Sequence, residues 1–305
     1  MFFKQRTPYL YLALPLLMMA IFFFMPFFMA LGISAMDYGE NLYAPKFTGL
    51  ANYLALWHSG SFWQSLGNTF FFLFGVVPAM VCLPILLAIA LNTDLKGISI
   101  FRSVIYLPVI ISVVVVGITW KWLYQKDGIL NYGFTLFGLE APEALKSGWL
   151  LNPDVAIYAV MLVIVWKGLA YYMMMYLAHL QSLSRELYES ADLDGAGWLE
   201  RHWHVTLPHL RPTMVMVAII STIGCLKIFA EIYVLTKGGP VGTTRTLVYF
   251  IYQRAFENLD LGIASAAGIV LMTILLVLSL IQLKYTGFGQ TAENTKTLSL
   301  QEATQ

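Results

Sequence analysis

Six apolar runs, each long enough to cross roughly 30 Å of hydrocarbon as a helix, are the strongest constraint on what this chain can become. They cover residues 9–33, 68–91, 103–123, 155–177, 213–235 and 261–285. Inside a bilayer every backbone N–H and C=O must be satisfied within the chain, so runs of this length are helical. Composition agrees: 59% of residues are hydrophobic and 11% charged, against about 25% charged in soluble domains. The expected fold class is an all-α integral membrane protein with six transmembrane helices.

The run at 9–33 follows Lys4 and Arg6 and exceeds the roughly 7–15 apolar residues of a secretory signal, so it reads as a retained span with kinks at Pro15 and Pro26. Residues 34–67 read as an extracytoplasmic loop with interfacial Trp57 and Trp63. The second run carries Pro78 and Pro84, and the third ends in Trp120 and Trp122 as an aromatic belt would. Residues 92–102 read as a polar turn, 124–154 as a loop, and Lys237-Gly-Gly-Pro240 as a tight turn. Small residues from Gly262 to Gly268 favour close helix packing. The tail from 286 to 305 is polar and reads as disordered. Six spans place both termini and the loop at 184–212 on one side, which holds nine Lys and Arg against six opposite. That excess has the sign of a cytoplasmic face.

The loop at 184–212 has a structure of its own. Ser184 is placed to cap a helix with Glu186 and Glu189 in its first turns, where the dipole favours negative charge. Leu183, Leu187, Tyr188 and Ala191 form one apolar stripe. Gly195 suits the left-handed position after the last turn. A second helix is expected to begin at Asp194 or Ala196 and to stop before Pro208. Two short helices meeting at a glycine make a knob that another protein's backbone can approach closely.

A net charge of +1 without a basic block argues against a nucleic-acid partner. Cys82 and Cys225 lie in apolar runs and read as small hydrophobes. No phosphate-cradling G-x-x-x-x-G-K-[ST] run, H-E-x-x-H or Cys/His metal spacing occurs. His179, His202, His204 and His209 surround the loop and read as solvated or helix-terminal groups. Charged groups within spans are costly unless they face protein or water. Lys167 is such a group, and Lys227 and Glu231, four apart on the expected fifth span, share a face. They either neutralise one another, or Glu231 pairs with Lys167, or they line a wet pathway with Trp166, Tyr171, Tyr172 and Phe229 as ring faces.

Within the loop, Glu189, Ala191, Asp194, Gly195 and Ala196, then Leu207, Pro208 and Pro212, follow E-x-A-x-x-D-G-A and L-P-x-x-x-P. Here the chain resembles the coupling (EAA) loop of ABC importer permeases. Trp166-Lys167-Gly168, Tyr176 to Gln181, Phe229 to Pro240 and Tyr249-x-x-Tyr252-x-x-Ala255-Phe256 look like the sugar branch, the maltose and glycerol-phosphate type. Two departures are Ser190, where the second alanine is usual, and Trp203, where phenylalanine is commoner. The resemblance implies a type I ABC importer permease fold at 68–285, preceded by a region 1–67 with the first span and followed by a cytoplasmic tail. It implies a non-catalytic subunit in the bacterial inner membrane that docks an ATPase through Glu189, Ala191, Asp194, Gly195, Ala196, Leu207 and Pro208. Partners implied are a second permease, two ATPase subunits holding ATP and Mg, an extracytoplasmic binding protein, and membrane lipid. This chain itself binds no cofactor or metal under that reading. Trp166, Lys167, Tyr171, Tyr172, Lys227, Phe229 and Glu231 become candidate contacts for a sugar or sugar derivative. Alternatives are an ion-coupled secondary transporter that titrates Lys167 and Glu231, and an importer of a non-sugar solute.

Overall fold

The computed structural model describes residues 3–38, 45–140 and 142–286, so the tail beyond Thr286 lies outside the described residues. The described residues fall into two compact units, one within 3–63 and 250–274 and one within 64–249 and 275–286.

In the first unit, α1 (Phe3–Met19) passes through a π-helical turn (Ala20–Phe24) into α2 (Met25–Ser34). Pro26 lacks an N–H and its ring crowds the carbonyl of Phe22, so a widened turn directly before it relieves the clash. Strands β1 (Met36–Asp37) and β2 (Lys46–Phe47) pair antiparallel, Met36 opposite Phe47. The expectation of a loop over 34–67 is corrected here. It contains α3 (Ala51–His58), and α4 (Gly60–Leu91) begins eight residues before Asn68. Extended Ser59, at φ −84 and ψ 109, separates the two helices. Asn52 donates to the carbonyls of Ser34 and Met36, both at 2.9 Å. Against this corner presses α14 (Leu261–Thr286): a Cβ on Gly262 would stand 2.4 Å from the Met36 oxygen. Ala264, Ala266 and Ala267 of the small-residue stretch are buried, as close packing requires, whereas nothing lies within 4 Å of a Cβ added at Gly268. Arg254, in the π-helical turn Gln253–Glu257, lies 5.3 Å from the Phe250 ring centre and 3.9 Å from Asp260.

In the second unit α4 carries Pro78 and Pro84 without breaking. The third span, expected over 103–123, is a bent pair, α5 (Ile98–Ile110) and α6 (Val113–Leu123), turned by 96°. Pro108 weakens the end of α5, and extended Ser112 restarts the chain by accepting from the Val115 N–H. The connection 124–154 contains α7 (Ile129–Leu136) and a 3₁₀ turn at Glu143–Leu145, where a loop was expected. α8 (Ala156–Ser182) follows. Then come α9 (Arg185–Leu193), α10 (Trp198–Arg201), a π-helical turn (His202–Thr206), α11 (Leu207–Leu226) and α12 (Ala230–Leu235), with α13 (Leu247–Tyr252) shared between the units. Five helices are long and apolar enough to cross a membrane, and the bent pair brings the number to six when counted as one broken span.

The fifth crossing is displaced from the expected 213–235. The helix runs Trp198–Leu226, so it does not stop before Pro208. The π-helical turn sits where the proline ring would crowd the carbonyl of His204, and the widened hydrogen-bond register lets the helix continue. It ends at Lys227, with Phe229 (φ −135, ψ −55) outside any helix. The carbonyl of Ile228 freed by this break is taken by the buried Thr246 hydroxyl at 2.9 Å. The turn at 236–242 is confirmed and left-handed in part, with positive φ at Lys237, Gly238, Val241 and Gly242. Asn68 donates to the carbonyls of Gly242 and Arg245, and Arg245 reaches Ser65 and Gln64.

Candidate functional site

Two places concentrate the polar chemistry, and both lie in the second unit. The first is a cavity of about 450 Å³ bounded by α4, α5, α8 and the break between α11 and α12. Six of the seven candidate pathway residues line it: Lys167, Tyr171, Tyr172, Lys227, Phe229 and Glu231. Trp166 does not. Its ring packs edge-on against Trp120 at 5.4 Å, away from the cavity.

The expectation that Lys227 and Glu231 share one helical face is corrected. Lys227 caps the end of α11 with non-helical φ and ψ, and Glu231 opens α12, so a break lies between them. They face one cavity because of that break. No ion pair joins Lys167, Lys227 and Glu231 among the described residues. Mutual neutralisation therefore does not describe this arrangement, and the charges are open to water or a polar ligand. Tyr171 and Tyr172 meet edge to face at 5.2 Å, and Phe229 stacks on Tyr233 at 5.5 Å and on Tyr249 at 6.2 Å. Rigid ring faces beside charged donors and an acceptor can hold a polyhydroxylated solute.

Several wall residues were not foreseen: Val76, Met80 and Val109 from other helices, and Ser221, Gly224 and Cys225 from the last turns of α11. Gly168 explains why α8 and α4 approach closely, since a Cβ there would meet the Met80 methyl at 2.5 Å.

The second place is the knob at 184–212. Ser184 occupies the cap position of α9, but its side chain makes no capping hydrogen bond, contrary to expectation. Gly195 follows with φ +80, as its position predicted, and nothing lies within 4 Å of an added Cβ. The second helix starts at Trp198, later than expected, because Gly197 takes the cap and donates to Glu200 at 3.0 Å. Arg201 clamps Asp192 at 2.9 Å, and the Tyr188 hydroxyl meets Thr206 at 3.2 Å. These contacts join α9 to the turn immediately before Leu207 and Pro208. Ser190 satisfies its hydroxyl on the Glu186 carbonyl at 2.6 Å, so a serine is accommodated where alanine is usual. Leu183, Leu187, Tyr188 and Ala191 are half-buried as the stripe predicted, whereas Glu189 and Asp194 are exposed and Ala196 is half-buried. Unforeseen are four exposed apolar side chains, Leu193 (89%), Trp198, Leu199 and Trp203. They lay outside the periodic stripe, and only the fold shows that they face outward.

Helices of membrane-crossing length, a cavity within the second unit lined by three charged side chains, and a knob between α8 and α11 define a multi-pass solute-transport subunit. Residues 47–285 match the model of the binding-protein-dependent transport system inner membrane component family, and this chain belongs to that family, the non-catalytic membrane subunits of ABC importers. It is 33% identical over 289 residues to the arabinooligosaccharides transport system permease protein AraP of Bacillus subtilis, covering 93% of this chain and 90% of that one. It is 33% identical over 240 residues to the trehalose/maltose transport system permease protein MalF of Thermococcus litoralis, covering 78% and 79%. A bacterial alginate ABC transporter solved with its pentasaccharide-bound periplasmic protein has the same fold, with a TM-score of 0.79 at 24% identity over 94% of this chain and 96% of that one. The family is that of a permease, and the ion-gradient alternative has no support in it.

Proposed function

We propose that this subunit forms part of the translocation pathway of an ATP-driven importer of a sugar or sugar derivative. The observation that carries this reading is the cavity in which Lys167, Lys227 and Glu231, in no ion pair among the described residues, stand beside Tyr171, Tyr172 and Phe229. Within the family, the similarity to AraP and MalF favours oligosaccharides over other solutes. The complete machine has a second permease as its counterpart, two ATPase subunits and an external binding protein that delivers the sugar. The ATPase docks on the knob. Gly195 admits its backbone, Leu193, Trp198, Leu199 and Trp203 supply apolar contact, and Glu189 and Asp194 supply charge. Leu207 and Pro208 pass the displacement into α11, whose far end carries the cavity. Both termini are cytoplasmic in this arrangement, in keeping with the excess of Lys and Arg on that side.

The test is affinity purification of the tagged chain from its native membrane, followed by uptake into vesicles. An ATPase and a second permease are expected in the purified complex, and labelled oligosaccharide uptake is expected to require ATP and the external binding protein. Recovery of the chain without an ATPase, or uptake driven by an ion gradient alone, overturns the reading.

A further inference from the structure

The connection between the third and fourth crossings contains a helix with its polarity turned inside out. Asn131 of α7 is 6% exposed and fully engaged, donating to the carbonyls of Lys126 (2.9 Å) and Leu145 (3.0 Å) and accepting from the Trp149 indole at 2.9 Å. Its outward face is apolar. Ile129, Tyr132 and Leu136, spaced i, i+3 and i+7, are exposed, and Phe137 just beyond the helix is 84% exposed. A helix meeting water has the opposite arrangement, with its polar groups outward.

We infer that α7 is a non-spanning interfacial helix whose outer face is immersed in phospholipid at the level of the headgroups. Three observations identify lipid as the occupant. Residues 128–139 carry no charge, while Lys126 and Asp127 precede them and Glu140, Glu143 and Lys146 follow, so charge stops where immersion begins and resumes where it ends. The segment starts five residues after the end of a membrane crossing, and that crossing closes on an exposed Trp122, the residue type that marks the interface. The outward residues are aliphatic and aromatic with a tyrosine at the edge, the composition of helices that lie in the plane of the bilayer surface. In the first unit, α3 repeats the design independently. Asn52 is buried and doubly bonded, and Leu50, Leu54 and Trp57 are exposed on one face. Under this reading α7 holds the end of α6 at a fixed depth.

Spin labels test this directly. Leu136→Cys, Phe137→Cys and Lys126→Cys are each introduced into a Cys82→Ala, Cys225→Ala chain and labelled with a nitroxide. The assembled transporter is then placed in phosphatidylethanolamine–phosphatidylglycerol vesicles. Collision with oxygen is expected to exceed collision with a water-soluble nickel chelate several-fold at positions 136 and 137, with the ratio inverted at 126. Equal access of the nickel chelate at all three positions places the face in water and overturns the inference. Exclusion of both reagents at 136 and 137 shows protein covering the face and also overturns it. A second measurement uses the unmodified cysteines: a phosphatidylethanolamine photoactivatable near its headgroup is expected to label the peptide 128–139. Absence of label there, with α4 labelled in the same sample, rejects the inference without any substitution.

Discussion

The knob and the cavity both depend on glycines, but for opposite reasons. At Gly195 the backbone is left-handed and an added Cβ would meet nothing within 4 Å. At Gly168 the backbone is ordinary helix and a Cβ would strike the Met80 methyl at 2.5 Å. At Gly117 it would strike a Val234 methyl, also at 2.5 Å. The inner glycines are required by contacts this chain makes with itself. The outer one is required by its own φ and, on the proposed function, by a surface this chain does not contain. Mutations in the two regions should therefore fail differently, one in assembly and the other in folding.

The sharpest way to break that contrast is Gly195→Asp. A residue with a Cβ in the left-handed region costs about 1–2 kcal/mol, which an exposed elbow tolerates without unfolding the spans. Uptake is expected to fall roughly a hundredfold, the loss that about 2.8 kcal/mol of docking energy would produce. ATPase recovery in affinity purification should fall with it while the amount of inserted chain stays constant. Gly195→Asn separates the two roles of the glycine, because asparagine tolerates positive φ but still adds bulk. Normal uptake by both variants would remove the docking role. Gly117→Val is the counterpart. Its branched side chain must displace Val234, another stiff residue, at an overpacking cost of about 1–3 kcal/mol. The expected outcome is a lowered Tm in detergent, with uptake per folded molecule preserved; an unchanged Tm would show that α6 and α12 adjust freely.

These contrasts were only partly legible in the residues. The number of crossings was readable because a long apolar run has no alternative in a bilayer, and the Gly195 elbow was readable because positive φ selects glycine. The bend between α5 and α6 was hidden within one apolar run, where Pro108 and Ser112 are weak signals beside the hydropathy. The break after Lys227 was hidden for a related reason: what stabilises it is the Thr246 hydroxyl on the Ile228 carbonyl, a contact across 18 residues. That break changed the meaning of the right candidates, since Lys227 and Glu231 reach the same cavity from two helices. Pro208 misled in the other direction, because a π-helical turn absorbs the proline that was expected to end the helix.

Glu231 sharpens the comparison from the cavity side. It lines the cavity with no ion pair among the described residues, so removing its charge should cost little stability. Loss of a hydrogen bond to a charged group is worth about 1.5–3 kcal/mol. Glu231→Gln is expected to raise the KM for uptake by about tenfold or somewhat more, with Tm unchanged. A lowered Tm with unaltered KM would instead make Glu231 a structural residue.

The smallest expected effect tests how far the knob is held by its own contacts. Asp192 and Arg201 join α9 to α10 at 2.9 Å, but the aspartate side chain is 55% exposed, so water screens the pair. Such pairs contribute about 0.2–1 kcal/mol. The Nε of the guanidinium is shielded from solvent and has no hydrogen-bond partner among the described residues, while Nη1 carries both bonds to the carboxylate. Removing the acid by Asp192→Ala therefore leaves Arg201 partly buried with less to bond. The expected result is a decrease of about two- to fivefold in uptake that deepens at high salt less than wild type does, because the salt-sensitive pair is already gone. A loss as large as that of Gly195→Asp would mean that the elbow's orientation depends on this one pair rather than on the glycine and the Tyr188–Thr206 contact together.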